Sequence, residues 1–249
     1  SPLYRFTDSP LHRFTDPPLH RSPDPPTHRP PASPKKHPPV LLLGADENES
    51  LPVLASLHRQ GIPITAAAPR RISMGLFSRY PRHRLICPDP NEHPEAFVDW
   101  VEQTVRDGDY PVTMVCGETA TWLLASALER LSPYTKIPIV DESHFFVCRD
   151  KSKTMQAAER LGIPIPKTYY PDDVGIEAVA QTIPAYPVVL KPCISNGARG
   201  ISYPEDADDL KALYAKTKAE YKSCIVQEFV PHSGMQYKAE VVLDAEGQA

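Results

Sequence analysis

Two lysines and one small-residue loop carry the chemistry for which this sequence is best read. In "YPVVLKPCISNGARGISY" the apolar run Val188, Val189, Leu190 ends in Lys191. A positive charge there is costly unless something anionic meets it. The loop that follows, Ser195, Asn196, Gly197, Ala198, Arg199 and Gly200, offers backbone N–H groups with little side-chain obstruction, as close approach to a phosphate requires. Lys151 opens the stretch "RDKSKTMQAAERLG". A helix N-terminus there would favour anions, and a lysine would add a point charge for a polyphosphate. A lysine at a helix start is also an ordinary solvated residue. The third element is "SCIVQEFV", an apolar strand that reaches Gln227, Glu228, Phe229 and Val230 before Pro231 ends it. A strand releasing its edge N–H and C=O at such a point can pair with the edge of an adenine between apolar walls; a plain edge strand ending at proline has the same pattern.

These residues need elements to hold them, and the chain from Val40 supplies strands alternating with helices. "PVLLLGADE", "IPITAAAP", "RLICPDP" and "PVTMVCGE" read as buried strands, separated by helices in "SLPVLASLHRQG", closed by Gly61, and in "HPEAFVDWVEQTVRDG", with Phe97, Trp100, Val101 and Val105 on one face. "TATWLLASALERL" and "KIPIV" complete a doubly wound parallel unit near Asp141. The second half is α+β: a helix from Lys151 to Gly162, an extended "IPIPKTYY", a short helix in "GIEAVAQTI", the strand before the loop, a helix in "PEDADDLKALYAKTKAEY", and strands in "SCIVQEFV" and "YKAEVVLDAEG". Residues 1–39 form a degenerate eight-residue repeat ("LYRFTDSP", "LHRFTDPP", "LHRSPDPP", "THRPPASP") so rich in proline that disorder is expected. It reads either as a weakly basic arm for RNA or a proline-reading domain, or as a passive tail.

Composition excludes several classes. A hydrophobic fraction of 41% over 249 residues suffices for a real core, while a net charge of -4 gives no global attraction to nucleic acid or an anionic membrane. Neither is an expected partner. No apolar run reaches the roughly 20 residues of a membrane span. Cys87, Cys116, Cys148, Cys193 and Cys224 are odd in number with no CxxC pair, as expected of reduced core thiols in a cytoplasmic protein. The turn "GADENES" after the first strand lacks the three-glycine dinucleotide fingerprint, and its acids would repel a pyrophosphate. That turn argues against an oxidoreductase built on the first unit.

The order "DK…LGIPIPK…YPVVLKP…NGARGI…VQEFV…AEVVLD" resembles the ATP-grasp superfamily, especially its carbamoyl-phosphate synthase and biotin carboxylase branch of carboxylate–amine ligases. The resemblance covers Val40 to the end. It implies a Rossmann-like pre-ATP-grasp domain over residues 40–144, the opening segment and lid of the nucleotide domain over 145–230, and the start of a C-terminal lobe over 231–249. It further implies that Lys151 is the first basic residue on the phosphates, that Lys191 is the lid residue reaching them, and that Ser195 to Gly200 close over the γ-phosphate. Gln227, Glu228, Phe229 and Val230 become the adenine hinge, and Gln236 stands where many relatives carry an acid on the ribose hydroxyls. Arg199 adds a charge to the loop that either clamps a phosphate or lies in solvent. Glu240 matches an acid of the large-lobe sheet, or is a solvent-facing residue of an alternating strand.

The implied activity is ATP-dependent activation of a small carboxylate as an acyl phosphate, attacked by an amine or similar nucleophile, in an enzyme that often pairs as a homodimer. The alternative is a nucleotide-binding or regulatory module without chemistry. Glu118, Thr119 and nearby loops would line one wall of the substrate pocket without identifying its occupant. In the family the ligands of Mg2+ lie well downstream of the hinge, so no metal site can be assigned before Ala249, and the chain is expected to be a C-terminally truncated piece that is inactive by itself. An antibody against residues 40–249 should detect a native protein larger than this chain by about a domain. A mass matching the chain would favour the module without chemistry.

Overall fold

The computed structural model describes residues 37–231, 239–243 and 247–248. The arm up to residue 36 and Gln236 lie outside the described residues. Two short runs become the central strands because every residue in them is buried, β1 (Val40–Leu43) and β2 (Ile64–Ala68); with the mostly exposed β3 (His83–Ile86) and the half-buried β4 (Val112–Val115) at the two edges they form an all-parallel sheet in the order β3-β2-β1-β4. Helices α1 (Ser50–Arg59), α2 (Met74–Phe77) and α3 (Pro94–Asp107) connect them, and α4 (Glu118–Ser126) and α5 (Leu128–Leu131) follow β4. Alternate side chains of β1 enter opposite layers. Leu41 and Leu43 pack with Phe97, Val101 and Leu124, whereas Leu42 packs with Leu54 and Leu76. Strand order reverses between β1 and β4, and the crevice above their carboxyl ends is the place where such sheets hold ligands.

The second half adds α6 (Glu142–Arg149), α7 (Lys151–Arg160), β5 (Thr168–Tyr169), α8 (Pro171–Val174), α9 (Ile176–Thr182), β6 (Val188–Pro192), α10 (Ala207–Tyr221) and β7 (Cys224–Glu228). The three strands form an antiparallel sheet, β5-β7-β6. One face is apolar: Val188, Leu190, Cys224 and Val226 pack on Val179, Leu210 and Tyr214 of the helices. The opposite face carries Lys191 and Gln227, since the side-chain period along a strand is two.

Several expectations are corrected. The helix read in "TATWLLASALERL" breaks at Ala127, whose backbone leaves the helical region (φ -102, ψ 11), into α4 and α5. "KIPIV" contributes a single parallel bridge, Val112 to Lys136, and Pro138 lacks the N–H that a longer ladder would need. "IPIPKTYY" pairs only at Thr168 and Tyr169, beyond its prolines. The described part of the last expected strand, residues 239–243, is not a strand; Val241, Val242 and Leu243 are exposed, and no neighbouring strand among the described residues takes their hydrogen bonds. The short helices α2, α6 and α8 were not expected.

Asp172 ties this half together. Its carboxylate accepts from Tyr214 Oη at 2.7 Å, Lys218 Nζ at 2.6 Å and Cys224 N at 3.2 Å, joining α8 to α10 and β7. Burial pushes its pKa up, but the donations from Lys218, Tyr214 and Cys224 to the charged form outweigh burial and hold it below the usual carboxylate range. Asp172→Asn is expected to cost about 1–2 kcal/mol at neutral pH. Because the folded pKa lies below the unfolded value of about 3.9, the wild-type advantage is present above that value and is lost as pH falls through the folded one. Urea midpoints of both proteins at neutral and at acid pH check this, and a gap that persists in acid contradicts it.

Candidate nucleotide site

The register Val189↔Gln227, Lys191↔Ile225 sets Lys191 diagonally across from Gln227 on the polar face of the antiparallel sheet. Lys191 Nζ donates to Gln227 Oε1 at 2.7 Å. Gln227 is buried and uses its amide on Thr168 Oγ1 at 2.9 Å and Met155 Sδ at 3.2 Å, so β5, β6 and α7 all meet at one glutamine. Its side chain thus serves the interior, and its backbone lies in the ladder of the central strand, opposite Thr168 of β5 and Val189 of β6, so the hinge role expected of it is left to the residues that follow.

Lys151 is the first residue of α7, and its backbone N–H donates to Cys193 O at 2.9 Å, which fixes the helix start against the end of β6. Asp150 caps the helix, accepting from Ser152 N and Lys153 N. Those first-turn N–H groups are occupied, so attraction for an anion at this end of α7 rests on the lysine side chain rather than on the helix N–H groups. Lys151 Nζ donates to Ser195 O at 2.9 Å and Ser195 Oγ at 3.3 Å. Burial, and then the positive charge of Lys151, lower the pKa of Lys191. The two amines share one field, an arrangement that an anion between them would relieve.

The loop is the turn of a hairpin. Ser202 and Leu190 exchange both backbone hydrogen bonds, at 2.9 and 3.0 Å, while Arg199 N reaches Asn196 O at 3.2 Å. Gly197, Ala198 and Gly200 all have positive φ, of 60, 60 and 73°. At Gly200 a Cβ would stand 2.6 Å from Pro192 Cγ and 2.7 Å from Tyr221 Cε2, so this position admits only glycine. Arg199 is exposed. At the hinge Glu228 N donates to Lys167 O at 2.9 Å, while Phe229 and Val230 are exposed, Phe229 standing edge-on to Tyr203 at 5.9 Å. A cleft of about 640 Å³ lined by Lys167, Tyr169, Tyr186, Glu228 and Phe229 opens beside the end of β7, but neither Lys151 nor Lys191 lines it.

The carboxyl edge of the parallel sheet has the opposite charge. Asp46, Glu47, Asp89, Asn91 and Thr119 surround a cavity of about 30 Å³, and burial with Asp46 and Glu49 raises the pKa of Glu47. Burial, chiefly, lifts the Cys87 and Cys116 thiols to about 12 and about 11, so neither serves as a nucleophile. Glu118 accepts from Arg149 Nε at 2.7 Å, and the Arg149 guanidinium lies 5.7 Å over the Trp122 ring. This contact links the crevice to the residue two before Lys151. Sequence reasoning missed Asp150, Thr168 and Arg149. An aspartate before an apolar-periodic run is a readable cap signal, but the other two become visible only through tertiary pairing. Among the described residues no group of three or more His, Cys, Asp or Glu could hold a metal ion, and no helix is long and apolar enough to cross a membrane.

No protein-family model matches the chain. A curated relative, the formate-dependent phosphoribosylglycinamide formyltransferase of Synechococcus elongatus, is 30% identical over 102 residues, 39% of this chain and 26% of that protein. The crystal structure of an L-amino acid ligase from Bacillus licheniformis matches 79% of this chain and 45% of its own at a TM-score of 0.58 and 20% identity. The biotin carboxylase domain of a 2-oxoglutarate carboxylase from Hydrogenobacter thermophilus, solved as a dimer with MgADP, ADP and bicarbonate, matches 79% and 45% at 0.61 and 14% identity. The chain thus has an incomplete form of the ATP-grasp fold that its sequence resembles. It spans about a quarter of the curated relative and a little under half of these solved structures.

Replacing Lys151 by methionine is expected to raise the pKa of Lys191 towards its ordinary value, as is adding inorganic triphosphate to the unchanged chain. Titration of 13C-labelled lysine side chains by NMR reads both effects; a Lys191 resonance indifferent to either would mean that the two amines do not share an anion site.

Proposed function

We propose that the chain is the nucleotide-holding part of an ATP-dependent ligase that activates a small carboxylate as an acyl phosphate for attack by an amine-type nucleophile. The observation that carries this reading is the convergence of Lys151 and the half-buried Lys191 at the mouth of a small-residue loop. The residues present fit a polyphosphate: two amines lie near enough for the charge of one to lower the pKa of the other, and the loop's side chains are mostly small. Lys191 and Lys151 would hold phosphate oxygens, with Lys151 exchanging Ser195 for them. Ser195, Asn196, Gly197, Ala198 and Gly200 would cover the terminal phosphate, and Arg199 would turn inward onto it. The hinge backbone at Glu228, Phe229 and Val230, just past the laddered Gln227, would meet adenine, and Gln236 the ribose.

ATP supplies the phosphoryl group that makes a carboxylate oxygen a leaving group. The residues of this chain orient that group and neutralise its charge. The acid-lined crevice would repel phosphate and leave the nucleotide to the lysine side. The described residues do not fit Mg2+, since no three His, Cys, Asp or Glu among them come together. The solved relative with MgADP and bicarbonate supports nucleotide and magnesium as cofactors of the whole enzyme, and its dimer supports pairing. Residues 40–144, 145–230 and 231–249 would be the three successive parts of such an enzyme, in the cytoplasm.

Calorimetric titration of the chain with ATP tests the binding half of the proposal. Binding is expected, with Lys191→Ala weakening it by at least about tenfold while leaving the circular-dichroism spectrum unchanged, since one charge-assisted contact is worth about 1.5–3 kcal/mol. In the longest native form the same substitution should abolish ADP release; undiminished turnover would sink the assignment, and binding without any ADP release would favour the module without chemistry.

A further inference from the structure

We propose that the free edge of β3, with α2 beside it, docks an acidic, apolar-anchored extended segment of a protein partner. Among the described residues the sheet ends at β3, whose His83, Arg84 and Ile86 are exposed. On the layer that holds Leu42 and Leu54 the helical cover stops at α2. Gly75 presses that helix onto the sheet, its N–H donating to Ala45 O at 2.8 Å where a Cβ would stand 2.3 Å from the same oxygen. Beyond α2 lies a cleft of about 500 Å³ lined by Arg71, Leu76, Phe77, Arg84 and Ile86. Phe77 in its lining is 72% exposed, and Ile72, next in sequence to Arg71, is 83% exposed.

Charge decides the occupant. Residues 69–88 contain arginines at 70, 71, 79, 82 and 84 and no aspartate or glutamate, in a chain whose net charge is -4. Arg84 is held in place, its guanidinium donating to Leu76 O at 2.6 Å and Ser78 O at 2.9 Å. Positive charge alone would be an ordinary guard on an edge strand. A guard does not require large apolar side chains turned to water beside it, and those mark a contact surface. An added strand supplies backbone hydrogen bonds to the edge, sends alternate apolar side chains into the cleft and leaves its acids for the arginines. A nucleic acid would make little use of the Leu76 and Ile86 walls, because its bases need aromatic platforms.

A short fluorescein-labelled peptide alternating glutamate with leucine and valine is the probe, read by anisotropy against the full chain. Binding is expected, weakening as salt rises, and falling by about tenfold or more with either Arg71→Glu or Phe77→Ser. Both residues are exposed, so both variants should keep the thermal midpoint of the parent. The proposal is overturned by absence of binding, by equal binding of polyglutamate, or by an oligothymidylate that competes for the same surface. Sedimentation showing self-association that Phe77→Ser abolishes would also overturn it, by giving the face to a second copy of the chain.

Discussion

The hydrogen bond from Lys191 to Gln227 is the contact on which the candidate site depends. A half-buried ammonium needs an acceptor, and a buried amide needs all its partners. Each supplies the other, and Gln227 also binds Thr168 and Met155. The pairing of β6 with β7 fixes this geometry. A slip of one residue would turn Lys191 into the apolar layer of Val188, Leu190 and Val226, so the register is enforced by the same charge it positions.

The two halves divide the electrostatic labour. The parallel sheet gathers Asp46, Glu47 and Asp89 at its carboxyl edge, while the antiparallel sheet and α7 gather two amines. Between them Arg149 spans from Glu118 to the start of α7. An acidic crevice and a pair of amines lie in one compact unit, so an anion is repelled at the first and attracted at the second.

Much of the architecture was legible because it follows from period and punctuation. The four strands of the parallel sheet, α3 with its Phe97, Val101 and Val105 face, and the helix end near Gly162 could all be read from runs and breakers. Lys191 could be singled out because a lysine in an apolar strand is costly anywhere. What escaped depends on contacts distant in sequence. Nothing local to Gln227 says that its side chain turns inward, because that follows from its diagonal to Lys191, 36 residues away. Residues 239–243 carry the β-branched residues of a strand yet make no strand among the described residues, since β-propensity is decided by what a segment packs against.

The packing of Gly200 has a mechanical consequence. Backbone bonds from Lys151 N and to Ser223 O hold one end of the turn at Cys193, and Pro192 with Tyr221 grip the other end at Gly200. Only the few residues between can rock. At about 1–2 kcal/mol of backbone entropy per residue fixed, ordering so short a flap over a ligand takes a modest share of any binding energy. Since Lys151 already grips Ser195, the same amine that would receive the ligand also fastens the flap, so release of one and capture of the other become a single event.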